Sequence, residues 1–189
     1  MINRLLHAAY MNDTFKFAFH LQRARYFASL NAMTLLVTHV KTPEDWEKAR
    51  EIRLQVFIHE QHFEEDGEFD ADDVHPSALH FIGTDVEQKK VVAVARVVID
   101  DAKRKAKLSR VAVLSECRGK RYGVALMDAV EDYIRNRVDQ FILAALIEKK
   151  GFYEKCGYRC IDDEIFVDEG AKQCWMVKPA HPLADTLSS

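Results

Sequence analysis

A β-branched run, Ser109-Arg110-Val111-Ala112-Val113-Leu114, passes without a break into Ser115-Glu116-Cys117-Arg118-Gly119-Lys120-Arg121-Tyr122-Gly123 and then into Val124-Ala125-Leu126-Met127. The run predicts a strand, the basic glycine segment a loop, and the apolar spacing beyond it a helix. This order constrains the chain more than any other part of it. The strand belongs in a sheet, the helix must cover that sheet, and the turn between them gathers backbone N–H groups and the positive end of a helix at one point. Arg118, Lys120 and Arg121 add charge of the same sign. An anion suits such a turn, and a phosphate or pyrophosphate is its natural guest.

The common phosphate motifs do not fit the spacing. Gly119-Lys120 is followed by Arg121 and lacks the upstream glycine of G-x-x-x-x-G-K-[ST]; G-x-G-x-x-G is absent. The segment from Arg118 to Gly123 does resemble the coenzyme A loop of the GNAT acetyltransferase superfamily, R/Q-x-x-G-x-G/A, with the preceding "RVAV" strand and the following "ALM" helix. Arg121 stands where that motif has glycine; an arginine serves there if its backbone angles are ordinary and its side chain swings outward. Gly151-Phe152-Tyr153-Glu154-Lys155-Cys156-Gly157-Tyr158 resembles the later "FYEKxGF/Y" segment, where a short helix ends on glycine. Arg53, Val56 and Phe57, with Glu60-Gln61, Glu68, Asp70 and Asp73, resemble the entry segment of the ElaA-like branch, as do Glu164-Ile165-Phe166 and the stretch from Gly170 to Met176 its ending. These blocks span about residues 35 to 177.

The resemblance implies the GNAT fold: a single-domain mixed α/β sheet of about six to seven strands flanked by helices. It implies an acetyl-CoA-dependent N-acetyltransferase acting on a primary amine of a small molecule or side chain, by direct attack in a ternary complex. It places the pantetheine arm along Val111 to Val113, with the amide near Val113 polarising the thioester carbonyl. The pyrophosphate falls to Arg118, Gly119, Lys120, Arg121 and Gly123, with Val124 and Ala125 behind them at the cofactor site. Tyr153 becomes the acid for the departing thiolate, against its plainer reading as a core tyrosine. The branch usually shows L-[H/G]-A-Q where this chain has Leu143-Ala144-Ala145-Leu146. The loss of that glutamine, with Arg121, supports the other reading, a non-catalytic coenzyme A-binding sensor or interaction domain. A homodimer is the assembly the resemblance allows.

At 189 residues the chain suits one domain. A formal charge of −3 argues against a general nucleic-acid or membrane-surface binder. Cys117, Cys156, Cys160 and Cys174 make no C-x-x-C pair and read as reduced thiols. The segment Glu60 to Asp73 carries a surplus of carboxylates that either forms a solvated face or draws in a cationic amine and accepts its proton. His59-Glu60-Gln61-His62 is one residue short of H-E-x-x-H, and no metal is expected.

Patterning predicts a strand at 34–40 and a helix from Pro43 with Trp46, Ala49, Ile52, Leu54, Val56 and Phe57 inward. Strands follow at 78–85, 91–99 and 107–114, then a helix at 123–137 whose polar face is Asp128, Glu131, Asp132 and Arg135. Gln140 to Leu146 reads as a strand buried on both sides, the Phe152-Tyr153 helix comes next, and strands at 159–167 and 173–177 close the domain. Domain bounds are therefore a leader at 1–33, the acetyltransferase domain at 34–180 and a tail at 181–189. The leader holds Arg4, Lys16, Arg23 and Arg25 against the single acid Asp13, and Arg25-Tyr26-Phe27-Ala28-Ser29 resembles a matrix-processing pattern. A mitochondrial matrix protein is one expectation; the alternatives are an extra helix or a start at Met33, and a cytoplasmic address.

Overall fold

The computed structural model describes residues 35–168 and 170–181. The leader and most of the tail lie outside the described residues. Strand β1 (Leu35–His39) leads to helix α1 (Pro43–Arg53), which the Thr42 hydroxyl starts by accepting the Asp45 N–H at 3.1 Å. Pro43, whose fixed φ suits the first turn, and the acids Glu44 and Asp45 follow in that turn. Beyond Arg53 the coil widens into a π-helical stretch, Leu54–Glu60.

Strands β2 (Ala78–Asp85), β3 (Lys90–Asp100) and β4 (Lys105–Val113) form an antiparallel meander with β1 on its outer side. Helix α2 (Tyr122–Ile134) crosses to β5 (Gln140–Leu146), and α3 (Lys150–Lys155) leads to β6 (Arg159–Cys160), β7 (Phe166–Asp168) and β8 (Ala171–Pro179). The sheet runs β1-β2-β3-β4-β5-β8-β6, with β7 also on β8.

The two long helices cover opposite faces. His80 and Phe81 are neighbours on β2 and so point to opposite sides. The His80 ring meets Trp46 of α1 at 4.7 Å between centres, while the Phe81 ring meets Tyr133 of α2 at 5.2 Å. Strand β3, between the two helices, is accordingly buried on both faces through Val92, Ala93, Val94, Ala95 and Val97.

Among the described residues eight strands form where about six to seven were expected. The single strand read at 159–167 is two short ones, because Ile161 and Ile165 are exposed and Asp162-Asp163-Glu164 between them turns the chain out of the ladder. Glu131 also departs from its reading as a solvent-face residue: it is wholly buried in α2, where Tyr158 and Lys178 supply its hydrogen bonds.

Candidate active site

The site begins with a gap in the sheet. Strands β4 and β5 pair in parallel only from Lys105↔Gln140 to Lys107↔Ile142 and then part. An extra residue in β4 accompanies the parting. Val94 faces Ala112 and Arg96 faces Ser109, so two β4 residues stand against one on β3, and Arg110 in this bulge has φ of 50°.

Between the parted strands lies a cleft of about 1000 Å³. The predicted two-sided burial of β5 is corrected by it. Phe141, Leu143 and Ala145 enter the core, while Ala144 and Leu146 line the cleft. An apolar run does not distinguish a core wall from a cleft wall.

The β4 backbone turns polar groups into this cleft. The Leu114 N–H donates to Val92 O on β3 at 2.9 Å, so alternation along the strand directs the N–H and C=O of Val113 and Val111 the other way. The Val113 carbonyl accepts Arg118 Nε at 3.0 Å. Past Val113, a short 3₁₀ turn at Ser115–Cys117 leads to the basic loop, in which Gly119 has φ of 81°, a conformation that disfavours any Cβ. Arg121 is left-handed too, with φ of 64°, so the condition of ordinary backbone angles is not met. Backbone geometry here follows the turn into α2, at a strain of about 1 kcal/mol for a non-glycine residue.

Helix α2 then starts with no capping side chain and no acid in its first turn, leaving its leading N–H groups suited to an anion. Gly123 serves packing as well: a Cβ there would lie 3.0 Å from the Phe152 ring of α3. Of the residues singled out from the sequence, Val111, Val113, Arg118, Gly119, Arg121, Gly123, Val124 and Tyr153 line the cleft. Lys120 turns away, with Nζ 3.9 Å from Asp85 and 5.7 Å from the Tyr122 ring centre, and Ala125 packs against the core. Arg118 grips the Glu60 carboxylate with both terminal nitrogens, the second at 2.9 Å.

Tyr153 is half-buried on α3, edge-on to Phe152 at 5.0 Å and Tyr158 at 6.1 Å. Burial, helped by Cys156, pushes its phenol above the ordinary value, so it stays protonated at neutral pH. The glycine ending read from the sequence is present. Gly157 has φ of 90°, and the Tyr158 N–H reaches back to Tyr153 O at 3.0 Å.

The acidic segment divides: Glu64, Glu65 and Asp66 are exposed, as a solvated face would be, whereas Glu68, Asp70, Asp72 and Asp73 are paired with cations. Arg53 Nε donates to Glu68 at 2.6 Å and Arg53 Nη1 to Asp73 at 2.6 Å. Arg96 reaches Asp70 at 2.6 Å and Asp73 at 2.9 Å; Arg110 reaches Glu68 at 3.1 Å, and Lys107 reaches Asp72 at 3.0 Å. Arg53 and Arg96 are both buried, so these carboxylates neutralise charge inside the fold. Burial raises Glu68 despite its arginines. For Asp73 burial also opposes ionisation, but hydrogen bonds from Arg53 and the Asp70 N–H outweigh it and hold the carboxyl at about 2. The signal was present in the sequence: Arg96 interrupts an apolar strand and needed an acid. Among the described residues, no group of His, Cys, Asp and Glu forms a metal site.

The cleft's other wall comes from Phe57 and Phe63 and from β7 and β8, where Phe166 stacks on Trp175 at 5.6 Å beside Asp168 and Gln173. Sequence reading assigned Phe63, Asp168, Gln173 and Trp175 no individual role, and nothing in the spacing of Phe166 and Trp175 showed that the two rings would meet.

A parted pair of parallel strands, with a glycine loop and an uncapped helix at one end, is the arrangement of an acyltransferase fold. Residues 46–158 match the acetyltransferase (GNAT) family, and the chain belongs to that family. A Bacillus subtilis (strain 168) protein named as an acetyltransferase is 32% identical over 134 residues, 70% of this chain and 88% of that one. The N-acetyltransferase YjcF of the same organism is 30% identical over 139 residues, 73% of this chain and 95% of its own. Escherichia coli ElaA shares the fold at a TM-score of 0.65 and 23% identity, covering 76% of this chain and 97% of ElaA. Vibrio cholerae spermidine N-acetyltransferase, solved with CoA and spermine, shares it at 0.60 and 17%, covering 78% and 96%.

Proposed function

We propose that this chain is an N-acetyltransferase that carries the acetyl group of acetyl-CoA to a primary amine of a small molecule or side chain, in a ternary complex. The observation that carries the reading is the parting of β4 from β5 beyond Lys107, which turns the Val111 and Val113 backbone into the cleft. Acetyl-CoA supplies the activated thioester. Val111 and Val113 would hold the pantetheine arm as an added strand, and the Val113 N–H would polarise the thioester carbonyl. Gly119, Arg121, Gly123 and the first N–H groups of α2 would hold the pyrophosphate. Arg118 must exchange Glu60 for phosphate to join them, whereas Lys120 and Ala125 act from outside the cleft. Tyr153, protonated at neutral pH, is the group that would give its proton to the leaving sulfur. Phe166, Trp175 and Asp168 suit a cationic amine on the facing wall.

The second reading, a coenzyme A-binding sensor or interaction domain, draws on the Arg118–Glu60 grip and on Leu146 in the cleft wall. Calorimetry with acetyl-CoA, followed by an amine screen read as thiol release, tests both. Binding without release for any amine would favour the sensor, and no binding would reject both readings. For residues 1–33 we propose a matrix-targeting leader on composition alone. Mass spectrometry of the protein from its native cells should find a first residue near Ala28, and an intact Met1 would reject the leader.

A further inference from the structure

Two cysteines outside the transfer chemistry stand in contact. Cys160 ends the two-residue strand β6, and Cys174 lies in β8. The register sets Cys160 opposite Met176, so Cys174 is the diagonal neighbour on the same face. Their sulfurs are 3.5 Å apart and both thiols are free. A disulfide measures about 2.05 Å, so closure asks for a movement of about 1.5 Å. That movement falls on β6, whose ladder holds only two residues and which leads into the exposed Ile161 bend.

The surroundings distinguish the two thiols. Cys160 is half-buried, whereas Cys117 and Cys156 are buried elsewhere in the core. Lys150, at the start of α3, is raised above its ordinary value chiefly by the neighbouring Cys160 sulfur. A cation beside an accessible sulfur is the setting in which cysteines react with oxidants. Cys174 is pushed up to about 11 by burial and by Cys160, which suits a resolving thiol that waits for its partner to be oxidised.

We propose that Cys160 and Cys174 form a redox-active dithiol that peroxide closes reversibly into a disulfide tying β6 to β8. The Cys160 sulfur attacks one peroxide oxygen; the O–O bond breaks, giving a sulfenic acid and one water. The Cys174 sulfur then attacks the sulfenic sulfur, the S–S bond forms as S–O breaks, and the hydroxyl leaves with the Cys174 proton as a second water. The dithiol loses two electrons and the peroxide gains them. Gln173 and Trp175, on either side of Cys174, line the cleft, so the disulfide fixes the strand that forms its wall.

The test treats the whole chain with a small molar excess of hydrogen peroxide, quenches with iodoacetamide and maps the peptides. The expected product joins Cys160 to Cys174 within one chain, reopens with dithiothreitol, and leaves Cys117 and Cys156 as thiols. Cys174→Ser should strand Cys160 as a sulfenic acid that dimedone captures, and Cys160→Ser should leave Cys174 reduced. The proposal is overturned if both thiols of the unaltered protein remain open to iodoacetamide, if Cys160 proceeds to a sulfinic acid, or if the bond joins two chains. The readout on the unaltered protein stands whether or not the serine variants fold.

Discussion

Lys178 Nζ donates to Glu131 Oε2 at 2.5 Å, joining the last long strand to a carboxylate at the centre of α2. Glu131 has no solvent exposure, and the Tyr158 hydroxyl donates to its other oxygen at 3.0 Å. Burial raises the Glu131 carboxyl above its ordinary value, and Lys178 resists that rise. Lys178→Met should therefore destabilise the domain at neutral pH, by up to about 3–5 kcal/mol, since Glu131 must then either stay charged without its partner or take up a proton. With its folded value raised further, Glu131 takes up a proton more readily in the variant, so the cost of the substitution is smallest near the unfolded carboxyl's value of about 4 and grows as pH rises. Urea melts at several pH values check this, and adding Glu131→Gln should restore part of the loss.

Gly123 is held close to the Phe152 ring at the start of α2. Gly123→Ala sets a methyl against that ring and should cost about 1–3 kcal/mol through overpacking. Pairing it with Phe152→Leu should recover much of the loss in a thermal melt. Equal losses in the single and double variants would mean that the Phe152 ring is not what excludes a side chain at this position.

Acid should attack the arginine network first. Asp73 is held at about 2 in the folded chain against about 3.9 when unfolded, so its contribution is present above the unfolded value and is lost as pH falls toward 2. Asp70 is lowered in the same sense, with hydrogen bonding from Arg96 overcoming its burial. Glu68, raised by burial, works in the opposite direction. Circular dichroism should show cooperative unfolding as pH falls from about 4 to 2, and Asp73→Asn should flatten that dependence while lowering stability at neutral pH by about 3 kcal/mol, because Arg53 keeps only Glu68 and Arg96 only the more exposed Asp70 and Asp72.

Most of the sheet was legible because alternation and glycine punctuation are local signals: β1 to β5 lie where their patterns place them, and α3 ends on Gly157 as read. What escaped depends on contacts distant in sequence. Glu131 sits among polar residues at helical spacing, and only Lys178, 47 positions away, makes its burial tolerable. Arg121 gives no sequence sign of a left-handed backbone, since the turn around it imposes the angle. The Glu60–Arg118 and Phe166–Trp175 pairs join segments whose meeting only the folded sheet defines.

Tyr153 is the residue on which the proposed chemistry turns. Its phenol lines the cleft, and burial keeps it protonated well beyond neutral pH, as an acid for a departing thiolate requires. Tyr153→Phe removes the proton and leaves the ring packing on Phe152 and Tyr158 in place. Turnover should fall by roughly two orders of magnitude while the calorimetric affinity for acetyl-CoA changes little. The contrast with a purely structural role is direct: a core tyrosine would give equal turnover in both proteins, and a binding tyrosine would change affinity and turnover together.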